Sequence, residues 1–241
     1  MKHYRYAHRG LHDLTQGVPE NSLAAFRRAA EAGFPSELDV HLLSDGSLAV
    51  FHDSDLLRMT GKEGTLEQLT AEQLKLCTLG GTGETIPEFR EVLALYSGTG
   101  LPLLVELKSH HNNHALLAER AVAELDRFHV PYSIESFDPR CLLWLLRNRP
   151  EIVRGQLAQD FLRTPSGLGH TADRILTRMS FNKRTHPDFV AFNFAHRDTP
   201  SLRRVRNAHR AEIFYWTIRS RAELEEAERE GAQAIFEGFV P

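Results

Sequence analysis

Short runs of β-type residues recur along the chain, separated by longer amphipathic stretches. The β-type runs fall at residues 4–8, 36–42, 101–107, 132–137, 152–158, 189–194, 213–218 and 233–237. Apolar positions at helical spacing occupy 22–32, 86–96, 115–128, 139–147, 200–208 and 222–230. Strand and helix in regular alternation predict a parallel sheet, and eight such units close most simply into an α/β (β/α)8 TIM barrel, a single domain over residues 1–241. Two segments break the alternation. Leu48–Phe51 is an extra apolar run, and the Asp45-Gly46 pair before it is a hairpin signal, so this run is expected to fold back antiparallel on the second strand. The stretch beyond this run is rich in Gly, Thr and Glu, with one short amphipathic piece at 71–76. Together with the hairpin it reads as a small insertion over about 44–85, expected to act as a lid over the barrel mouth. Segment 159–183 has a poor helical pattern and several turn residues, and no helix is assigned there.

Period-two alternation sorts the polar positions inside the predicted strands. Glu37, Asp39 and His41 share one face while Leu38, Val40 and Leu42 share the other, which must meet the covering helices. By the same parity Glu106 and Lys108 share the inward face of the third barrel strand, and His8 follows Tyr4 and Tyr6 on that of the first. Three acids converging in a low-dielectric cavity repel one another unless a cation intervenes. Glu37, Asp39 and Glu106 are therefore expected to form an all-oxygen site for a hard divalent ion, Mg²⁺ or Ca²⁺.

Composition narrows the field. A net charge of -3, with basic residues scattered among acidic ones, argues against nucleic acid as a partner. The basic run Arg203–Arg206 reads as the exposed side of a helix. Cys77 and Cys141 form no metal or redox spacing and are expected to be buried and reduced. No apolar run approaches a bilayer span and the first residues lack the apolar core of a secretory signal, so a cytoplasmic protein without membrane insertion is expected, with self-association left open.

The motifs H-R-G at 8–10, P-E-N-S at 19–22, E-L-D-V at 37–40, D-G at 45–46, H-D at 52–53 and E-L-K at 106–108, in this order, resemble the glycerophosphodiester phosphodiesterase family. The later half resembles it more loosely, through S-F-D at 136–138, G-Q-L at 155–157 and W-T at 216–217. The resemblance implies a metal-dependent phosphoric diester hydrolase of lipid metabolism, which cuts small glycerophosphodiesters to an alcohol and sn-glycerol 3-phosphate. It implies that His8 and His52 are the acid–base pair and that Glu37, Asp39 and Glu106 hold the metal. It also places Glu20 at the site as a partner of Arg9 or the metal, and Trp216 against the glycerol or alcohol moiety. The chain departs from the family at the last strand, where Glu237 and Gly238 stand in place of the usual Thr-Asp.

The chemistry of the residues agrees with those roles. A phosphodiester repels nucleophiles and has a poor leaving group, so its cleavage needs charge neutralisation and a proton donor and acceptor. Imidazoles titrate near neutrality and suit both proton roles. Arg9, as a planar fork, and Lys108, as a point charge that also offsets the acids, are expected to contact phosphoryl oxygens. Helix capping accounts for Asn21 and Ser22. His110 and His114 are four apart but read as solvated loop histidines rather than metal ligands. The alternatives are a phospholipase D-like or lysophospholipase D activity on the same barrel, favoured by a large apolar patch at the mouth, and a catalytically silent barrel that binds phosphorylated ligands, which would need a lost histidine or acid.

Overall fold

The computed structural model describes residues 4–209 and 211–241. Its strands are β1 (Arg5–Ala7), β2 (Ser36–Leu42), β3 (Leu48–Val50), β4 (Leu103–Leu107), β5 (Tyr132–Ser136), β6 (Arg154–Ala158), β7 (Phe189–Asn193), β8 (Glu212–Ile218) and β9 (Gln233–Phe236). The helices are α1 (Leu23–Glu31), α2 (Leu57–Thr60), α3 (Ala71–Leu74), α4 (Phe89–Tyr96), α5 (His114–Leu125), α6 (Pro139–Asn148), α7 (His170–Thr177), α8 (Asn182–Thr185), α9 (Pro200–His209) and α10 (Arg221–Arg229). Element order and parallel pairing are those of the (β/α)8 barrel class that the alternation predicts. The chain divides into two compact units, Tyr6–Ser133 and Ile134–Pro241 with the first few residues.

In the unit Tyr6–Ser133, β2 is the organising strand. It pairs in parallel with β1 through Ala7 and Ser36, and with β4 over Ser36–Val40 against Leu103–Leu107. The hairpin expected from Asp45-Gly46 is present: β3 runs antiparallel to β2, with Val40 opposite Val50. Both faces of β2 and β4 are buried, as parallel strands require. One face meets α1, α4 and α5 through side chains such as Phe26, Phe89, Leu93 and Leu117, each fully buried. The buried Tyr96 hydroxyl lies 2.7 Å from Ser36 Oγ, so the aromatic body is buried without leaving its polar tip unpaired.

The insertion is packed rather than draped. Leu56, Met59, Leu66, Leu74, Cys77 and Leu79 join Leu43, Ala49, Phe51 and Ile86 in a small core of their own. These positions are spread over short helical pieces and turns, so no period in the sequence announces them.

In the unit Ile134–Pro241, β5 to β9 pair in parallel, each with the next. Gly155 on β6 is required by close approach, since a Cβ there would come within 2.0 Å of the Phe189 ring, which stacks on Phe214. Segment 159–183 does contain helix, α7 and the start of α8, where the sequence showed none. The reason is physical: the buried residues of α7 are Asp173 and Thr177, and its Ile175 is exposed. Asp173 accepts from the Ser166 backbone at 3.0 Å and Thr177 from that of Phe161 at 2.9 Å, so this helix is held by polar contacts that an apolar period cannot reveal.

Candidate active site

Each acid of the expected triad is placed by strand register. Asp39 on β2 lies directly beside Glu106 on β4, about 4.8 Å away across a parallel pair, and Glu37 precedes Asp39 by two residues on the same face. The three carboxylates offer oxygens that all lie within 4.8 Å of one another. Their side chains are buried, with relative exposures of 2%, 1% and 6% for Glu37, Asp39 and Glu106.

The loop after β1 brings His8 and Arg9 to the same place. Gly10 holds a φ of +79°, and a Cβ there would lie 2.8 Å from Ala25 of α1, so glycine alone lets the loop lie against that helix. The Arg9 backbone N–H then donates to Glu37 Oε2 at 3.1 Å, and His8 Nε2 lies 3.9 Å from the same oxygen. Arg9 Nε approaches Asp39 Oδ2 at 3.4 Å, while its Nη1 donates to Glu20 Oε1 at 2.8 Å. Glu20 is thus the partner of Arg9. Ser22 alone caps α1, accepting from Ala25 N at 3.1 Å. Asn21, with φ at +55°, instead turns inward and donates to Asp39 Oδ2 at 2.8 Å, leaving its buried Oδ1 without a partner.

Lys108 stands between two of the acids, its Nζ 3.0 Å from Asp39 Oδ1 and 2.9 Å from Glu106 Oε2. His52 follows β3, about a third exposed, with Nδ1 2.6 Å from Asp53 Oδ1. A second histidine network supports this segment. His41 Nδ1 lies 2.7 Å from Glu67 Oε1 of the insertion, and its Nε2 lies 3.3 Å from the His52 carbonyl oxygen. Glu67 Oε1 also accepts from Ser54 Oγ at 2.8 Å, and His110 Nδ1 approaches it at 3.9 Å. His110 therefore sits against Ser54 and Glu67 rather than free in solvent.

Electrostatics follow from crowding and burial. Burial opposes ionisation of Asp39, yet Lys108, Arg9 and His52 together hold it well below the usual carboxylate range. Glu106 is pushed up to about 7 by burial, with Asp39 adding to the shift and Lys108 opposing it. Burial depresses His52 to about 4; Asp39 resists that shift while Lys108 and Arg9 reinforce it, so its imidazole is neutral at pH 7. Lys108 and Arg9 offset two of the three carboxylate charges, which leaves Glu106 the weak member. That residual demand for positive charge, an all-oxygen donor set and the unpartnered Asn21 Oδ1 beside it all fit a hard divalent cation.

Trp216 belongs to the other unit. It lies on β8, donates from Nε1 to the Ala191 carbonyl at 3.1 Å and meets the Phe137 ring edge-on at 5.7 Å. Asn21, Asp53, Arg58 and Glu67 are parts of the polar network that the sequence did not single out as site residues. The H-D dipeptide signalled Asp53, since a carboxylate beside a histidine commonly orients its ring. Nothing local signalled Arg58 or Glu67.

Buried carboxylates on adjacent parallel strands, with His8 and fixed cations beside them on a (β/α)8 frame, suit the charge and proton demands of phosphate ester cleavage. Comparison with known proteins narrows the class. Residues 8–240 match the model of the glycerophosphoryl diester phosphodiesterase family. The glycerophosphodiester phosphodiesterase of Caldanaerobacter subterraneus is 30% identical over 244 residues, which span 98% of this chain and 93% of that protein. Among solved structures, an Oleispira antarctica phosphodiesterase in complex with the product sn-glycerol-3-phosphate aligns at a TM-score of 0.79 and 24% identity, over 97% of this chain and 92% of that one. The glycerophosphodiester phosphodiesterase of Thermotoga maritima aligns at 0.73 and 23% identity, over 98% and 95%. These two structural likenesses show the shared fold. The chain belongs to the glycerophosphoryl diester phosphodiesterase family, and its activity is that of a phosphoric diester hydrolase. Among the described residues no helix is long and apolar enough to cross a membrane.

Proposed function

We propose that this chain hydrolyses small glycerophosphodiesters to an alcohol and sn-glycerol 3-phosphate, using a divalent cation, Mg²⁺ or Ca²⁺, held by Glu37, Asp39 and Glu106 and an acid–base pair formed by His8 and His52. The observation that carries the proposal is the convergence of three buried carboxylates within 4.8 Å, with His8 3.9 Å from one of them and Lys108 about 3 Å from the other two. The solved relative from Oleispira antarctica, which holds sn-glycerol-3-phosphate, supports that product class.

When bound, a divalent ion supplies neutralisation of the phosphoryl oxygens. Arg9 and Lys108 hold those oxygens in place and add positive charge where the transition state gathers negative charge. One imidazole takes a proton from the attacking oxygen, either of water or of the substrate's neighbouring hydroxyl with water then opening the cyclic phosphate, and the other gives one to the departing alkoxide, each contributing about 10²–10⁴-fold. Glu20 keeps the Arg9 fork aimed, and Asn21 keeps Asp39 turned toward the other acids. Residues 1–241 act as one catalytic domain in this reading, with Trp216 contacting the glycerol or alcohol moiety.

The test is a product assay over a panel of glycerophosphodiesters and lysolipids, with and without EDTA. Release of sn-glycerol 3-phosphate, abolished by EDTA and restored by Mg²⁺, Mn²⁺ or Ca²⁺, is expected. Turnover that persists in chelator would refute the essential metal, and turnover confined to lysolipids would replace the substrate class.

A further inference from the structure

We infer that Arg58, carried by the insertion, is a positioning residue for His52: it locks the Asp53 carboxylate that holds the imidazole and ties it to the Arg9 loop. This rests on the acid–base role proposed above for His52.

The geometry is a chain of alternating charges. Asp53 uses each oxygen once, Oδ1 toward His52 Nδ1 at 2.6 Å and Oδ2 as acceptor from Arg58 Nε at 2.5 Å. With both oxygens engaged, the carboxylate plane is fixed, and so is the ring it holds. The other edge of the same guanidinium donates twice to Glu20, from Nη2 to Oε1 at 2.7 Å and from Nη1 to Oε2 at 3.1 Å. Glu20 in turn accepts from Arg9 at 2.8 Å. One planar cation therefore joins the H-D segment to the H-R-G segment, although 49 residues separate Arg9 from Arg58 along the chain.

The backbone under Arg58 is fixed for this task. Leu57 N–H donates to Asp55 Oδ1 at 2.7 Å at the start of α2, and Leu56 N–H donates to the Gly64 carbonyl at 3.1 Å. Leu56 and Met59 bury themselves in the insertion's core while the Arg58 side chain remains 46% exposed. Ion pairs at that exposure contribute little to stability, so folding alone is a weak reason for so ordered a bridge. A guanidinium meets the two carboxylates from two edges of one rigid plane; an ammonium, though it can bridge two acids as Lys108 does, is a point donor without that fork. The insertion thus acts as a brace for the catalytic histidine, beyond the covering role expected of it.

The test compares Arg58→Ala, Arg58→Lys, Asp53→Asn, the Arg58→Ala/Asp53→Asn double variant and His52→Ala, measuring kcat and KM on glycerophosphocholine with saturating Mg²⁺, together with Mn²⁺ affinity and melting temperature. Both Arg58 variants are expected to lose about 10–100-fold in kcat, with KM, Mn²⁺ affinity and melting temperature nearly unchanged, Lys restoring only part of the loss. In the Asp53→Asn background the Arg58→Ala change should cost little more. An unchanged kcat in Arg58→Ala, full rescue by Lys, an additive loss in the double variant, or a loss explained by weaker metal binding or a lower melting temperature would overturn the inference. His52→Ala separates the two layers: if it is inactive while Arg58→Ala is fully active, the brace fails alone, and if it is active, the role of His52 falls first.

Discussion

The two compact units follow one construction rule and use their buried polar groups in opposite ways. In Tyr6–Ser133, charge meets charge: Arg9, Lys108 and the three acids face one another in unequal numbers. In Ile134–Pro241, several buried polar side chains are turned onto the backbone instead, Asp173 and Thr177 as acceptors from N–H groups, Arg154 and Gln156 as donors to carbonyls. Arg154 donates to the carbonyls of Thr185 at 3.2 Å and His186 at 2.9 Å. Gln156 Nε2 donates to those of Ser136, Phe137 and Leu157 at 3.0, 3.2 and 2.9 Å. Burial of a polar group is therefore no mark of a site by itself. What marks the first unit is a cluster whose charges do not balance and whose acids are driven apart in pKa, Asp39 down and Glu106 up to about 7.

Substitutions in each unit test that contrast. The largest effect is expected at the triad: Asp39→Asn should lower turnover by about 10³-fold or more, read in kcat at saturating substrate, because it removes the carboxylate that partners both fixed cations and, in the proposed function, ligates the metal. His8→Ala and His52→Ala should each lower kcat by about 10²–10⁴-fold with the melting temperature retained; near wild-type rates in either would remove that residue from the acid–base pair. Gln156→Leu should do the reverse, lowering unfolding free energy by about 1–3 kcal/mol in denaturant titration while kcat/KM per folded molecule stays constant. If that variant keeps its stability and loses its turnover, the contrast between the units fails. Trp216→Leu should raise KM about 3–10-fold with little change in kcat, since the proposed function gives Trp216 a contact made equally in ground and transition states.

The smallest effect is a pH signature at the base of the insertion. Burial would raise the Glu67 carboxyl, but the His41 hydrogen bond and charge and the Ser54 hydroxyl hold it down to about 2 from its ordinary 4.5. A depressed carboxylate pKa contributes stability that is complete above about 4.5 and is lost as the pH falls to about 2, amounting to at most about 3 kcal/mol. Wild type and Glu67→Gln should therefore differ in urea midpoint at pH 7 and converge as the pH approaches 2. A difference that persists undiminished in acid would show that the carboxylate charge is not its source.

How much was legible in the sequence depended on whether a feature repeats. The strands were legible as short β-type runs between amphipathic stretches, and the alternation within β2, with Glu37, Asp39 and His41 on one face, told which acids converge. The hairpin to β3 was legible from Asp45-Gly46, since few dipeptides favour that turn. Helix α7 was not, because its buried face is polar. Arg58 and Glu67 were not, because their meaning lies in partners up to 43 residues away that no local pattern connects. Asn21 was read as a cap because capping explains such a residue locally; its inward turn toward Asp39 depends on the positive φ and on Ser22 taking the cap.

The central claim is that Glu37, Asp39 and Glu106 hold one divalent cation. The most direct measurement is calorimetric titration of chelator-treated protein with Mn²⁺ at pH 7.5, for the wild type and for Asp39→Asn and Glu106→Gln, with circular dichroism confirming that each is folded. The account predicts one ion per chain in the wild type and binding weakened at least about 10-fold in each variant. Stoichiometric binding of undiminished affinity in both folded variants, or no binding in the wild type, would contradict it.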